Sequence, residues 1–194
     1  MKESTPILPP CYAYYIKQAF ERFSNNECLI VNRNNSWKKW TYKEARVSII
    51  KTASALINSG IRKSDKVVVI GDNTPEWIIA YHGTIFSGGL IVPIDPNLPH
   101  KEIEAIIQAV NPRVVFCTSL FIPLFVSLKP NMVSIKEIIC LPSGTDENDS
   151  EFVKYGNSCE PDETLLQRQF NEEDPFAILF TSGTTGTPKG AVLL

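Results

Sequence analysis

The chain has few of the residues that mark metal centres and disulfide-stapled domains. Its 194 residues include two histidines and five cysteines, and no two cysteines stand in a C-x-x-C pair. An odd cysteine count without such a pair is typical of neither a disulfide framework nor a zinc site. We therefore expect reduced thiols, a cytoplasmic protein and no metal held by protein side chains.

The sequence also lacks an excess of either charge and a long uninterrupted apolar run. Lysine and arginine number 19 against 21 aspartates and glutamates, so the net charge is −2 and no nucleic-acid partner is expected. The longest apolar stretch, residues 77–94, is interrupted by His82, Gly88, Gly89 and Pro93. We therefore expect no transmembrane segment there. The N-terminus has a charge but no following apolar region, and we expect no secretory signal there.

The first third of the chain predicts a helix, a hairpin and a second helix. Residues 11–23 carry a one-sided apolar stripe, and residues 28–40 contain two short apolar runs around an Asn-rich turn. Thr41 is followed three residues later by Glu44, which predicts a capping box at the start of the second helix. Gly60 predicts the left-handed end of that helix.

Strand and helix patterns alternate through the rest of the chain. Apolar runs predict strands at residues 67–70, 90–94, 113–117, 137–141 and 176–180, with helical periodicity between most of them. Such alternation predicts an α/β fold with a doubly wound, mostly parallel sheet and helices on both faces. Residues 142–164 lose this periodicity and predict an exposed loop.

The most informative motif is a loop close to the last residue of the sequence. Residues 180–190 are FTSGTTGTPKG, and an apolar run that predicts a buried strand leads into them. Glycines let backbone N–H groups approach an anion, hydroxyls donate further hydrogen bonds, and a lysine adds positive charge. The loop is therefore a candidate phosphate-binding site beyond the carboxyl end of a strand. Its candidate contacts are the hydroxyls of Thr181, Ser182, Thr184 and Thr185, the close-approach positions Gly183 and Gly186, and the cation Lys189.

Two other interpretations of this loop were weighed. A plain surface turn has a similar composition but does not need the apolar strand that precedes it. A Walker A loop requires glycine before the lysine and a hydroxyl after it, whereas Pro188 and Gly190 occupy those positions.

The string LFTSGTTGTPKG closely resembles the phosphate-binding motif of the adenylate-forming ligases, the superfamily that contains acyl-CoA synthetases, peptide adenylation domains and luciferases. Other segments resemble the same family in order and spacing, so the resemblance spans nearly the whole chain. They are WTYKEA at 40–45, DNTPEW at 72–77, FSGGLIVPID at 86–95 and the acidic residues at 171–174. On this basis residues 1–65 form the helix, hairpin and helix of an AMP-binding domain, and residues 66–194 form its α/β part.

The resemblance implies an ATP-dependent ligase that activates a carboxylic acid, with a fatty acid as the expected substrate, and transfers it to CoA. ATP, Mg²⁺ and CoA are the implied cofactors. The family's ribose-binding acid, hinge and C-terminal lysine have no counterpart in this sequence, so we expect a truncated N-terminal portion with no catalytic residue and no CoA site. Two alternatives stay open: a non-catalytic binding module or remnant, and a fragment of an amino-acid or aryl-acid adenylation domain.

Several residues that attract attention are interpreted as structural. His82 lies in an apolar helix and is expected to be packed, and His100 at a helix start is expected to face solvent. Trp77, Tyr81 and Phe86 lie in the same predicted helix as His82, and we expect their rings to pack in the core. Asp95 directly follows a strand and belongs to a turn sequence, although it could line a cleft.

Overall fold

A computed structural model describes residues 11–142, 150–168, 170–171, 173–181 and 188–194. These ranges contain six α-helices, eight strands and three short 3₁₀ helices. In chain order the main elements are α1 (Tyr12–Arg22), β1 (Glu27–Arg33), β2 (Ser36–Thr41), α2 (Tyr42–Asn58), β3 (Lys66–Ile70), α3 (Pro75–Ser87), β4 (Leu90–Ile94), α4 (His100–Val110), β5 (Val114–Thr118), α5 (Ile122–Leu128), β6 (Glu137–Leu141), α6 (Glu151–Gly156), β7 (Ala177–Thr181) and β8 (Lys189–Leu193).

The central element is a six-stranded sheet in the order β6-β5-β3-β4-β7-β8. Every neighbouring pair is parallel except β7 and β8, which are antiparallel. β1 and β2 form a separate antiparallel hairpin. The predicted hairpin and the mostly parallel sheet are therefore confirmed.

Helices cover both faces of the sheet, as the alternating pattern predicts. Val67 and Val69 of β3 point into a core that α1, α2, α3 and α6 complete. Val68 and Ile70 point into a second core that contains α4 and α5. Successive side chains of a strand alternate between faces, so a continuous run of branched residues supplies both cores at once. No helix in the described ranges is long and apolar enough to cross a bilayer.

The predicted helix ends are confirmed. Thr41 accepts a hydrogen bond from the Glu44 backbone while the Glu44 carboxylate accepts one from the Thr41 backbone, which is a complete capping box. Thr74 caps α3 and Pro75 occupies its first turn. Gly60 (φ +90°) and Gly88 (φ +84°) adopt the left-handed conformation beyond α2 and at the end of α3.

The prediction of an exposed loop at residues 142–164 is wrong for the second half of this segment, where the structure has a short helix, α6. Ser150 caps the short helix α6, and Phe152 of that helix is 4% exposed. The Phe152 ring packs edge-on against Phe116 of β5, with centroids 5.6 Å apart. The prediction failed because one buried aromatic residue in a single helical turn produces no periodicity. Residues 143–149 lie outside the described residues.

The buried strand predicted at residues 176–180 is a strand, β7, but it is not buried along its length. Ala177 is fully buried, whereas Leu179 is 38% exposed. β7 pairs with β4 in register only at Ile91 and Ala177, and its other neighbour is β8, which is exposed at four of its five positions. The sequence did not predict β8, and its antiparallel direction departs from the rest of the sheet.

Candidate functional site

The two ends of the candidate phosphate-binding loop lie side by side. Thr181, the last residue of β7, is the cross-strand partner of Lys189, the first residue of β8. Both residues are exposed. The structure thus brings together the first and last of the predicted contacts. The others, Ser182, Gly183, Thr184, Thr185 and Gly186, lie outside the described residues.

The register that places Lys189 opposite Thr181 depends on the glycine that follows the lysine. Gly190 is the cross-strand partner of Phe180. A Cβ atom on Gly190 would lie 3.0 Å from Cζ of Phe180 and 3.0 Å from Cγ2 of Ile178. Both distances are tighter than ordinary van der Waals contact. Glycine therefore lets two apolar side chains of β7 lie across β8 at this point.

The loop lies where the architecture concentrates ligand-binding residues. β3, β4 and β7 are parallel, so their carboxyl ends meet at one edge of the sheet. A cavity of about 440 Å³ lies at the ends of β3 and β4. Asp95 lines it, and its carboxylate accepts hydrogen bonds of 2.9 Å from the backbone and the side chain of Asn97, which confirms the predicted turn. The full lining is Gly71, Asp72, Asn73, Trp77, Pro93, Ile94, Asp95, Pro96 and Asn97.

Sequence reasoning identified only Asp95 as a candidate for this cleft. Asp72 and Asn73, which follow β3 after Gly71, are exposed in the same lining. Their position after a buried strand was the available signal. Trp77 was predicted to be core, yet it is half-buried, lines the cleft and stacks on Tyr81 with ring centroids 5.4 Å apart. Phe86 is fully buried, as predicted.

The two histidines have the structural roles expected of them. The His82 ring stacks on Tyr12 at 5.9 Å, and burial lowers the pKa of His82 to about 4. A neutral imidazole follows at physiological pH. His82 Nδ1 is buried and has no hydrogen-bond partner within the described part of the chain. His100 is exposed at the start of α4.

The described residues contain no arrangement suited to a protein-bound metal. Within these ranges, no three side chains of histidine, cysteine, aspartate or glutamate lie close enough together to hold a metal ion. None of the five cysteines, which all lie within the described ranges, forms a disulfide. Burial raises the pKa of the Cys117 thiol to about 12, which keeps it protonated.

Comparison with known protein families identifies the family of this chain. The model of the family described as AMP-binding enzyme matches residues 16–194. The chain belongs to this family. The match covers the hairpin, the sheet and the whole candidate loop, so the AMP-binding assignment applies from residue 16, within α1, to residue 194.

Curated relatives of this AMP-binding chain include the crotonobetaine/carnitine–CoA ligases of Escherichia fergusonii and Shigella flexneri serotype 5b. Each is 31% identical over 158 residues, which is 80% of this chain. The aligned part is 30% of the first relative and 31% of the second. The chain thus spans about a third of the length of the curated relatives it matches.

Solved structures share the fold. The anthranilate CoA ligase AuaEII in complex with anthranoyl-AMP superposes with a TM-score of 0.80 at 22% identity, over 95% of this chain and 35% of that one. The N-terminal domain of FACL13 from Mycobacterium tuberculosis gives 0.75 at 23% identity, over 93% of this chain and 43% of that one. The AMP-binding chain has the fold of the N-terminal part of these structures.

Proposed function

We propose that this chain carries the ATP phosphate-binding loop of an acid–CoA ligase. The main supporting observation is the pairing of Thr181 with Lys189. This pair joins the two ends of the family's loop motif at the carboxyl end of β7. In the proposed reaction a carboxylate attacks the α-phosphorus of ATP and pyrophosphate leaves. The thiol of CoA then attacks the acyl carbon of the acyl-adenylate, and AMP leaves.

The loop's task is to hold the phosphates that become the leaving group. Hydroxyls of Thr181, Ser182, Thr184 and Thr185 donate hydrogen bonds, Gly183 and Gly186 allow close approach of the backbone, and Lys189 supplies the cation. Donors fixed before the reaction stabilise negative charge as it develops on pyrophosphate. Mg²⁺, when bound, would share that charge. We assign Mg²⁺ to the ATP phosphates.

The acyl substrate is proposed as a fatty acid, on the resemblance of the DNTPEW segment to acyl-CoA synthetases. A second candidate is a small polar carboxylate, because the curated relatives at 31% identity are named as crotonobetaine/carnitine–CoA ligases. A panel of palmitate, hexanoate, crotonobetaine and anthranilate separates these classes. The preferred acid is the one that supports the fastest acid-dependent exchange of pyrophosphate into ATP by the polypeptide isolated from its native source.

The loop assignment is tested by binding of pyrophosphate and MgATP to the 194-residue chain. Amide NMR signals of Thr181 and Lys189 are followed as each ligand is added. We expect Lys189→Ala to weaken binding about tenfold or more, Lys189→Arg to retain most of it, and Lys39→Ala to leave it unchanged. Lys39 is the control because it pairs with Glu27 on the separate hairpin. Equal affinity of the Lys189→Ala variant would overturn the assignment.

Catalysis is tested separately, by acid-dependent pyrophosphate exchange. We expect the 194-residue chain to bind MgATP weakly and to show no exchange, since phosphate contacts alone leave adenine and ribose solvated. The polypeptide isolated from its native source is assayed in parallel, together with its intact mass. Exchange by the 194-residue chain unaided would contradict the expectation that this chain alone is inactive.

A further inference from the structure

A second cavity lies away from the candidate loop, between the hairpin and three helices. Its volume is about 240 Å³, and its walls come from β2, α2, the first turns of α3, and α6. None of its lining residues belongs to β7 or β8. The lining is Lys38, Trp40, Val47, Ser48, Lys51, Thr52, Glu76, Ile79, Phe152, Val153, Gly156 and Asn157.

Part of the cavity lining is apolar. Ile79 and Phe152 are buried at 3% and 4% exposure, and the half-buried Trp40 indole forms part of the wall. The volume is smaller than the roughly 300 Å³ at which pockets for drug-sized ligands begin. A compact ring or short branched chain is therefore the apolar body that the cavity can enclose.

Two lysines, Lys38 and Lys51, line the same cavity. Lys38 Nζ lies 4.9 Å from the centroid of the Trp40 ring, and Lys51 Nζ donates a 2.9 Å hydrogen bond to the amide oxygen of Asn157. Both contacts are with neutral groups. Among the described residues neither lysine forms an ion pair, although Lys39, next to Lys38 in β2, pairs with Glu27.

The one carboxylate in the lining, that of Glu76, is already paired with an arginine. Glu76 accepts two hydrogen bonds from the guanidinium of Arg33, at 3.0 and 2.6 Å, and both side chains are buried. Its charge is balanced inside the protein, so it does not neutralise Lys38 and Lys51. The cavity thus combines apolar lining side chains with two lysines that have no carboxylate partner in the described chain.

We propose that this cavity binds a small organic anion, a carboxylate on a compact apolar body, with Lys38 and Lys51 on the carboxylate and Trp40, Ile79 and Phe152 around the body. Such a ligand satisfies the two ammonium groups and fills the apolar interior at the same time. Because Lys51 and Asn157 join α2 to α6, an occupant also ties α6 and the hairpin to α2.

The test is an NMR titration of the full 194-residue chain with benzoate, chosen as the probe because it is an aromatic ring with one carboxylate. Two chemical controls divide the ligand: benzyl alcohol has the ring without the charge, and acetate has the charge without the ring. We expect saturable shifts of the Trp40 indole and of α6 amides with benzoate, and at least tenfold weaker binding of either control.

Matched lysine variants test which positive charges contact the benzoate carboxylate. Lys51→Met and Lys38→Met are each expected to weaken benzoate binding about tenfold, whereas Lys39→Met, on the neighbouring position of β2, changes it less than about twofold. Lys51→Gln keeps a donor for Asn157 and loses the charge, so it separates loss of the ligand contact from loss of the α2–α6 link. Lys189→Ala is expected to bind benzoate as the unaltered chain does.

Three results would overturn the proposal. Binding of benzyl alcohol as tightly as benzoate would make the cavity a purely apolar crevice. Benzoate affinity unchanged in both Lys38→Met and Lys51→Met would remove the role of the lysines. Shifts confined to β7 and β8 would place the anion at the candidate loop instead.

Discussion

Arg33 at the end of β1 and Glu76 in the first turn of α3 form a two-pronged ion pair inside the protein. Nη1 donates to Oε1 at 3.0 Å and Nη2 donates to Oε2 at 2.6 Å. The Arg33 side chain is 0% exposed and that of Glu76 is 6% exposed. The pair joins the hairpin, which makes no ladder with the main sheet, to the helix that begins beyond β3.

Breaking this pair on one side is expected to be costly. Arg33→Met or Glu76→Leu alone leaves one buried charge unpaired and lowers the free energy of unfolding by about 3–5 kcal/mol. The double variant removes both charges and should lose much less than the sum of the single changes. Urea unfolding of the four proteins gives the coupling free energy. Additive losses would show that the two groups do not depend on each other.

Gly88 at the end of α3 is expected to tolerate alanine less well than Gly60. Both have positive φ, +84° and +90°, so both changes carry the cost of a left-handed alanine, about 1 kcal/mol. A Cβ on Gly88 would lie 2.7 Å from Nη1 of Arg168, whereas one on Gly60 meets nothing within 4 Å. Since Arg168 Nη1 donates to the Ser87 carbonyl at 2.7 Å, Gly88→Ala also disturbs that bond.

Thermal unfolding compares the two glycine variants. Gly88→Ala is expected to be destabilised by about 1 kcal/mol more than Gly60→Ala. In an Arg168→Met background the difference should disappear, because the clashing guanidinium is gone. A difference that persists there would assign the extra loss to another contact of Gly88.

Gly190→Ala is expected to loosen the β7–β8 hairpin. The new Cβ would lie 3.0 Å from Cζ of Phe180, so the ring must move, at a cost of about 1 kcal/mol. Hydrogen exchange of the β7 and β8 amides should become faster, while exchange in β3 stays unchanged. Adding Phe180→Leu makes room and should restore part of the protection. Unchanged exchange in Gly190→Ala would mean that the ring does not hold the hairpin.

The stability of the protein is expected to fall between pH 7 and pH 5 because of His82. Burial lowers the pKa of His82 to about 4 from 6.5. The unfolded chain therefore takes up a proton at pH values where the folded protein cannot, and each decrease in pH favours unfolding. Over this range the loss is about 2 kcal/mol. The carboxyls of Glu44, Asp162 and Asp174, whose pKa values are lowered, titrate at lower pH.

The histidine contribution is measured by urea unfolding at pH 7 and pH 5. His82→Phe keeps a ring for the stack with Tyr12 and removes the titration, so its pH dependence should flatten. His100→Gln is the control, because His100 is exposed. An equally steep pH dependence in the His82→Phe variant would contradict the assignment.

Local chemistry predicted most helix boundaries and strand positions correctly. Thr41 with Glu44, Thr74 with Pro75, and Gly88 each satisfy or end a helix through atoms within a few residues, so sequence alone carries the information. Phe152 escaped prediction because its burial depends on Phe116, which is 36 positions earlier in the chain. The division at residues 65 and 66 stays a prediction, and α2 packs against α3 across it in one core.

The sequence by itself determined the fold class, the loop motif and the family, since glycines, hydroxyls and a lysine in a fixed order are local properties. Tertiary structure alone decided which side chains meet. Strand pairing placed Lys189 opposite Thr181, and helix packing brought Arg33 to Glu76 and assembled the cavity of Lys38 and Lys51. Arg33 and Glu76 are 43 positions apart in the chain, and the energy of their buried ion pair arises only when folding excludes water around both groups.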